Sequence, residues 1–290
     1  MVNLYKSMKS VLFSLLSVFL IGTSAGQTVT GKVVDVATGE ALVYVNVGVV
    51  GQPRGTITDV SGVFVLEITG LSAEASVRFS MIGYMGQNYT VKELSDKNGK
   101  TIMLESAPFP LSEVLIKPKK PRKIGTTNHS LTLCCGWGGD KRGKGYEIGT
   151  KMELGVSPVH FKSLHIRIRK LSFDTCILRL HVRKIINELP ADELLTQNIY
   201  ISITKETGWV EFDLSKYHLV FQEDVSLSLE WISVMGDNKN KHIRVNKSPP
   251  APQVLFNCSK NRAGVIYTRW GSEAQWKRSE GAPCFYLTVM

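Results

Sequence analysis

Cysteine is scarce in this chain, and its scarcity excludes one class of fold. The 290 residues contain five cysteines, all after residue 133, so the protein is not a small scaffold held together by disulfides. An odd number leaves at least one thiol unpaired within a monomer. Cys134 and Cys135 are neighbours in a predicted strand and point to opposite faces, which argues against a bond between them. The spacing assigns no disulfide.

Long apolar runs are also absent, apart from one near the N-terminus. Two lysines precede the run Val11–Gly22, and the small residues Ser24 and Gly26 follow it. The run is shorter than the about 20 residues that a membrane-spanning helix needs, and the whole pattern is typical of a signal peptide. We therefore predict a signal peptide over residues 1–26. The mature chain, from Gln27, is expected to lack a transmembrane segment and to be exported, as a periplasmic or outer-membrane-associated protein.

The residue patterns of common catalytic centres are missing as well. No histidine is followed by glutamate three positions later, which excludes the ligand pair of a zinc carboxypeptidase. The glycine-rich segment Gly136–Gly145 lacks the order of residues in a phosphate-binding loop. Glu211 and Asp213 share one strand face, which is typical of a strand with one side exposed to solvent. The alternative is the carboxylate pair of a glycosidase. We predict no catalytic residue, no metal ligand and no cofactor.

Charge is distributed unevenly along the chain. The net charge is −3 over residues 27–116, +5 over residues 117–123 and +6 over residues 124–290. The run KPKKPRK combines prolines with like charges, which favours an extended linker over residues 117–124; docking onto an anionic polymer is the alternative. An exported basic protein is not expected to meet nucleic acid, so an acidic polysaccharide or an envelope protein is the expected partner.

The periodicity of the rest is that of strands. Short segments rich in valine, isoleucine, threonine and aromatic residues recur with turn signals between them, which predicts an all-β protein. Residues 27–116 are predicted to form one antiparallel sandwich. Residues 125–290 are predicted to form a larger jelly-roll-like β-sandwich. One helical turn is predicted at Pro190–Leu195, because proline and acidic residues suit the first turn of a helix.

The first predicted sandwich resembles a known family. The segment Thr30–Ile68 is similar to the carboxypeptidase-regulatory-like domain, and so is the later Ile82-Gly83-Tyr84. The matching positions are Gly31, Thr38, Gly39, Glu40, Val45, Asn46, Val47, Gly55, Thr56, Thr58, Asp59, Gly62, Phe64, Ile82, Gly83 and Tyr84. The resemblance implies a seven-stranded transthyretin-like (prealbumin-like) sandwich without catalytic residues. Gly62 is expected to adopt a left-handed turn conformation, and Asp59 to accept backbone hydrogen bonds in that turn.

The second half also resembles a companion domain that follows this module in some exported envelope proteins. The similarity lies in ILRLHV, ELPADELL, GWVEFDLSKY, SLEWI and the final FYLTV. It implies architecture more than activity.

Two alternating segments of the second half predict a ligand surface. His165, Arg167 and Arg169 share one strand face, and so do Arg179, His181 and Arg183. If these strands are neighbours, the six side chains form one basic patch suited to carboxylate or phosphate groups; the alternative is a solvated outer face. Trp270 and Trp276 can stack on sugar rings beside it, or close the end of the sandwich.

These features predict a non-catalytic exported envelope protein that binds or scaffolds an acidic glycan or a protein partner. The second domain would present the ligand surface, and the first would act as a spacer or docking module. Two alternatives are a structural component of an outer-membrane complex and an accessory subunit of a hydrolase.

Overall fold

The computed structural model describes residues 26–96, 99, 101–107, 120–138, 144–236, 253–259 and 264–290. The predicted signal peptide, except Gly26, and residues 117–119 of the predicted linker lie outside these ranges. No helix among the described residues is long and apolar enough to span a membrane.

The first domain is a sandwich of seven strands in two sheets. One sheet has the order β4-β1-β7 and the other β3-β2-β5-β6. A short helix, α1 (Val91–Asp96), lies between β6 and β7. The strands are β1 (Thr28–Asp35), β2 (Asn46–Val49), β3 (Gly55–Ile57), β4 (Val63–Glu67), β5 (Ser76–Ser80), β6 (Gln87–Thr90) and β7 (Thr101–Leu104). The predicted seven-stranded sandwich is confirmed.

Local sequence explains these elements. In β4, Phe64 and Leu66 are buried and Val65 between them is exposed, the alternation of a strand with one face on the core. Helix α1 begins at a capping box: Thr90 Oγ1 accepts a hydrogen bond from the Glu93 amide at 3.1 Å, and Glu93 Oε2 accepts one from the Thr90 amide at 2.7 Å.

The turn before β4 has the geometry that the sequence motif predicts. Gly62 has φ +74°, and Asp59 Oδ1 accepts hydrogen bonds from the amides of Ser61 (2.8 Å) and Val63 (3.0 Å). Two further motif residues make long-range bonds. Thr58 Oγ1 donates to the Leu42 carbonyl at 2.8 Å and accepts from the Val45 amide. Tyr84 donates its hydroxyl proton to Asp35 Oδ2 at 2.9 Å.

The second domain is a larger sandwich of two seven-stranded sheets, which confirms the predicted architecture. We call them the β12 sheet (order β13-β12-β17-β10-β19-β20, with β14 beside β12) and the β11 sheet (order β8-β21-β11-β18-β9, with β15 and β16 beside β11). The strands are β8 (Arg122–Gly125), β9 (Cys134–Gly138), β10 (Tyr146–Met152), β11 (Val159–Leu171), β12 (Thr175–Ile186), β13 (Leu189–Glu193), β14 (Ile199–Ile203), β15 (Gly208–Asp213), β16 (Val220–Phe221), β17 (Val225–Met235), β18 (Gln253–Asn257), β19 (Val265–Trp270), β20 (Lys277–Glu280) and β21 (Phe285–Val289).

The core of this domain lies between the two sheets. Leu164 and Ile166 of β11 and Leu180 and Val182 of β12 are all fully buried in one cluster. The side chains that alternate with them therefore point away from the core, on opposite sides of the sandwich.

The predicted linker extends too far. Its last residues belong to β8, which pairs antiparallel with β21, with Ile124 opposite Leu287. Ile124 is buried in the core, and Arg122 donates a hydrogen bond to the Leu154 carbonyl at 2.7 Å. Sequence analysis did not predict this strand because its four residues, RKIG, contain only one apolar side chain after two adjacent charged ones.

The two domains are in contact. Asn198 donates a hydrogen bond to the Ile82 carbonyl at 3.1 Å, and the ring of Tyr44 packs edge-on against that of Tyr200 at 5.6 Å. Gly48 lies so close to the second domain that a Cβ there would be 2.5 Å from Ser272 Oγ. The first domain therefore packs directly on the outer side of the β12 sheet.

Candidate functional site

The predicted basic patch is divided between the two faces of the second domain. β11 pairs with β15, β16, β18 and β21, whereas β12 pairs with β13, β14 and β17. The two strands are not neighbours, so the prediction of one joint patch is wrong. Alternation correctly gave the outward direction of each side chain, but the outward sides of the two sheets face opposite ways.

The half on β12 is buried, with Arg179 in contact with the first domain and Arg183 against the ring of Trp276 in the second. Arg179, His181 and Arg183 are 0%, 3% and 5% exposed, which rules them out as an open ligand surface. They belong to a cluster on the outer side of the β12 sheet that we call the buried ion network, made of Glu147, Arg179, His181, Arg183, Glu193, Glu230 and Arg269.

Glu147 is the most heavily bonded member of this network. Arg183 binds both of its oxygens, at 2.7 and 3.2 Å, in a bidentate pair. Arg269 donates from Nε at 2.8 Å and also from a terminal nitrogen, and Ser228 Oγ donates at 2.9 Å. All hydrogen-bonding capacity of this buried carboxylate is therefore used inside the protein.

His181 connects the other two carboxylates. Its Nδ1 lies 2.6 Å from Glu193 Oε2, and its Nε2 lies 2.8 Å from Glu230 Oε2. Burial and the neighbouring Arg183 lower the pKa of His181, but Glu147 and Glu193 outweigh them, so its pKa is raised. The protonated ring can donate to both carboxylates at once.

The carboxylates of the network are held ionised. Burial alone would raise the pKa of Glu147, but Arg183, Arg269 and His181 bring it well below its usual range. The pKa values of Glu193 and Glu230 are lowered in the same way, against burial, by Arg183 and Arg179 respectively together with His181.

Glu147, His181 and Glu230 also offer atoms within 4.8 Å of one another, a spacing compatible with a metal ion. Their surroundings do not fit one. Three arginines contribute three positive charges against the three glutamates, and the histidine adds a fourth when protonated. A divalent cation would enter a site without excess negative charge, at oxygens that already accept hydrogen bonds.

Arg179 links the network to the first domain. One terminal nitrogen donates to the Tyr44 carbonyl at 2.8 Å and lies 3.5 Å from Asn46 Oδ1, and the other donates to Asn198 Oδ1 at 3.0 Å. The network therefore stabilises the domain interface.

The half on β11 lies on the open side of the other sheet. Its cross-strand neighbours place two aromatic rings beside it: Trp209 is opposite Arg167, and Tyr286 is opposite His165. Lys123 approaches from β8. We call this set the cation-aromatic face, made of Lys123, His165, Arg167, Trp209 and Tyr286.

Ring contacts hold the face together. The rings of His165 and Tyr286 are stacked 4.1 Å apart, and Trp209 packs edge-on against Tyr286 at 5.0 Å. The cations lie over the rings: Lys123 Nζ is 5.0 Å from the Tyr286 centroid, and Arg167 Cζ is 5.7 Å from that of Trp209. Tyr286 is itself only 9% exposed, so the arrangement presents positive charge beside the partly exposed ring of Trp209.

The surroundings of His165 favour its neutral form. Burial, with a contribution from Lys123, lowers its pKa, although Glu211 opposes the shift. Its Nε2 lies 2.9 Å from Ser163 Oγ and 3.0 Å from Thr288 Oγ1. The ring is thus fixed in place as part of the aromatic surface.

The remaining predicted residues lie apart from this face. Arg169 donates a hydrogen bond to the Leu131 carbonyl. Trp270, at the end of β19 in the β12 sheet, is 38% exposed and packs against Tyr146 at 4.9 Å. Trp276 lies under the guanidinium groups of Arg183 (5.6 Å) and Arg269 (4.8 Å). Neither tryptophan lies on the β11 sheet, so they do not join its cationic residues.

Trp209, Tyr286 and Lys123 were missed by sequence reasoning. The segment GWVEFD shows an alternation that places Trp209 on the same strand side as Glu211, but only the register between β11 and β15 brings it to Arg167. Register between distant strands has no local sequence signal.

A cavity of about 690 Å³ lies elsewhere in the second domain, lined by residues of β8, β10, β19 and β20 that include Arg122, Lys151 and Arg278. Its cations have acidic partners: Lys151 Nζ is 2.9 Å from Asp224 Oδ2, and Arg278 Nε is 3.6 Å from Glu188 Oε2. Its charges are therefore largely balanced within the protein.

Comparison with known proteins identifies the first domain. Residues 29–116 match the family model of the CarboxypepD_reg-like domain. These residues form a CarboxypepD_reg-like domain. Such domains are regulatory and non-catalytic, in agreement with the roles of Thr58, Asp59 and Gly62 in shaping a turn rather than a reactive centre. No curated protein matches the chain.

Similarity to solved structures is weak. Over 90% of its length the chain aligns with a chain of the T13 particle of infectious bursal disease virus, with 10% identity and a TM-score of 0.24, and it spans 60% of that chain. It also aligns with BcpA*(D312A), the major pilin subunit of Bacillus cereus, with 10% identity and a TM-score of 0.17. This alignment covers 89% of the present chain and 69% of the pilin chain. TM-scores of this size do not indicate a common overall fold.

Proposed function

We propose that this protein is a non-catalytic exported binding protein that holds an acidic polysaccharide on the cation-aromatic face of its second domain. The observation that carries the proposal is the pairing of cations with ring surface: Arg167 with Trp209 and Lys123 with Tyr286. Sugar rings stack on aromatic side chains, and guanidinium groups bind carboxylates in a planar fork. A polymer of acidic sugars offers both groups together.

The state of the carboxylates supports a role without catalysis. Glu147 and Glu230 are completely buried and kept ionised by arginines, so neither is accessible to a substrate or has a proton to give it. Asp213 has its pKa lowered by hydrogen bonds from Ser215, which it caps at a turn. None of these three groups has the raised pKa of a general acid. Burial raises the pKa of Glu273, but this carboxyl group is engaged at the domain contact by Ser80 Oγ at 3.3 Å.

The CarboxypepD_reg-like domain would then act as a docking module. It covers the outer side of the β12 sheet, on the opposite side of the sandwich from the cation-aromatic face. The ligand surface would thereby stay open while the first domain contacts other envelope components.

A binding measurement tests the proposal. The protein would be titrated with polygalacturonate and with neutral dextran, at low and high salt, beside the variants R167S and W209A and the matched control K184S, an exposed cation of β12. We expect binding to polygalacturonate that weakens with salt and falls at least tenfold in R167S and W209A, while K184S binds like the wild type. Equal affinity of R167S and wild type, or no binding to polygalacturonate, would overturn the proposal.

Export is tested separately. We propose that residues 1–26 are removed during export to the periplasm, where the protein remains or associates with the outer membrane. N-terminal sequencing of the protein recovered from an envelope fraction should begin at Gln27. A cytoplasmic protein that retains Met1 would contradict this part.

A further inference from the structure

Four of the five cysteines are brought close together at one end of the β11 sheet. β9 carries Cys134 and Cys135 and pairs antiparallel with β18, so that Cys135 lies opposite Phe256. Cys258 follows β18 directly, and its amide donates to the Leu133 carbonyl at 3.0 Å. The Cys284 amide in turn donates to the Asn257 carbonyl at 2.8 Å. Positions more than 100 residues apart in the chain thus meet in space.

The side of the strand to which each cysteine points selects one pair of thiols. Cys135 shares a strand side with its partner Phe256, which points into the core, and the residue two positions on, Cys258, lies on the same side. The thiol of Cys135 is hydrogen-bonded to that of Cys258. Cys134 is exposed and points to the opposite side. All five cysteines carry free thiols in the structure.

We propose that Cys135 and Cys258 are a disulfide site, and that an oxidising disulfide compound converts the two thiols into a covalent bond between β9 and the end of β18. The bond would join two strands that already pair. The chain would thereby close a covalent loop of more than 100 residues.

The contact between the two thiols makes Cys258 the attacking group: it raises the pKa of Cys135 well above its usual range, so Cys135 reacts second, once Cys258 is bonded to glutathione. The hydrogen bond from Cys135 lowers the pKa of Cys258, despite its burial, and so favours the thiolate that attacks a disulfide. The other buried thiols are less suited. Cys284 already donates to the Asn128 carbonyl at 3.1 Å, and burial raises its pKa to about 12. Burial likewise raises the pKa of Cys176, on the β12 sheet, to about 12.

The reaction is a double exchange. The Cys258 thiolate attacks one sulfur of oxidised glutathione, forms a mixed disulfide and releases one glutathione thiolate. The Cys135 thiolate then attacks the Cys258 sulfur and releases the second. Two protons pass from the protein thiols to the two glutathione molecules, and the protein loses two electrons that the glutathione disulfide gains.

A metal site is a less suitable reading of the cluster. Structural zinc needs four ligands that converge on one point. Among the residues that the structure describes, only Glu147, His181 and Glu230 meet this spacing, and no set of three cysteines does. A pair of thiols is therefore the chemically relevant unit.

Thiol counting tests the proposal. The protein, purified under reducing conditions, would be incubated with oxidised glutathione, denatured in iodoacetamide and weighed by mass spectrometry. We expect five alkylated cysteines before oxidation and three after it. Five after oxidation would overturn the proposal.

Variants identify the bonded pair. Because Cys134 and Cys135 fall in one proteolytic peptide, the bond is mapped in C134S, where a linked peptide must contain Cys135 and Cys258. The control C176S should still form the bond, whereas C135S and C258S should not. A linked peptide that joins Cys258 to Cys284, or Cys134 to any partner, would also overturn the assignment. Mapping in C134S and C176S does not depend on whether C135S folds.

Discussion

Nε of Arg179 lies 2.8 Å from Oε2 of Glu230, and neither side chain is accessible to solvent. The N–H is not aimed at the oxygen, so this contact is an ion pair rather than a hydrogen bond. Because the same guanidinium donates to the Tyr44 carbonyl, one side chain connects β12, β17 and the CarboxypepD_reg-like domain.

Replacement of Arg179 by methionine is expected to lower the free energy of unfolding by about 3–5 kcal/mol, because it leaves Glu230 buried without its counter-charge. Urea unfolding followed by circular dichroism measures the change. The control K184M removes an exposed cation from the same strand and should stay within about 0.5 kcal/mol of the wild type. The double variant R179M/E230M should be more stable than R179M alone. A single variant as stable as K184M would contradict the role given to the ion pair.

The histidine of the network predicts a pH dependence. The pKa of His181 is raised in the folded protein, so its protonation stabilises the fold fully below its ordinary pKa of 6.5, and this stabilisation is lost as the pH rises through the folded-state pKa. The stability difference between wild type and H181N should therefore be larger at pH 6 than at pH 9. Urea midpoints of both proteins at the two pH values measure it. An equal difference at both would show that the ring is neutral in the fold.

The glutamates of the network predict that the protein loses stability in acid. Their pKa values are lowered, so their contribution is present above the ordinary value of 4.5 and is lost as the pH falls through the folded-state values below it. Acid unfolding of E147Q should depend less steeply on pH below 4.5 than that of the wild type. Acid titration followed by tryptophan fluorescence compares the two slopes, and identical slopes would contradict the prediction.

Thr58 of the CarboxypepD_reg-like domain predicts a local effect. Its hydroxyl bonds both the Leu42 carbonyl and the Val45 amide and is almost completely buried. The nearly isosteric T58V leaves both groups unsatisfied and should cost about 1–3 kcal/mol of the free energy of unfolding. T56V, at a half-buried neighbouring position, is the control. Equal urea midpoints of T58V and T56V would contradict the prediction.

The cation-aromatic face predicts that acid strengthens binding. Burial lowers the pKa of His165, so the ring gains its charge only as the pH falls below 6.5. If the face binds an acidic polysaccharide, the affinity of the wild type should rise between pH 7.5 and pH 5, while that of H165Q changes less. Titration calorimetry at the two pH values compares them. The same pH response in both proteins would exclude His165 from the binding surface.

The fold of the first domain could be predicted because the motif that specifies it lies within a few neighbouring residues. Asp59 and Gly62 define a turn within four residues, and Phe64 begins the next buried face immediately after it. A motif of this kind specifies backbone geometry without knowledge of distant strands.

In the second domain, only the alternation of apolar and polar residues along the strands could be read from the sequence. The apolar positions of β11 and β12 are buried as expected, but alternation does not tell whether the two strands are neighbours, and they lie in different sheets. Pro190 gives a second example: its predicted helical turn is instead strand β13, which pairs on one side with β12. Proline is compatible with such an edge strand because no ladder hydrogen bond is lost there.

The site combines residues that no local pattern connects. Glu147, His181 and Glu230 come from three separate strands, and their meeting depends on the registers of β10 and β12 with β17. Alternation predicted that His181 and Arg183 leave the core, but not that carboxylates from β10, β13 and β17 would surround them.

The position of β21 bears on how the protein folds. This strand lies between β8 and β11, and it pairs Leu287 with Ile124, residues 163 positions apart. Its core residues Phe285 and Leu287 are completely buried. Pairing over such a distance requires the closure of a long loop before any contact energy is gained, which places β-proteins of this kind in the slow range of milliseconds to seconds or longer. Because β21 lies between β8 and β11, β8 can join the sheet only once β21 is in place.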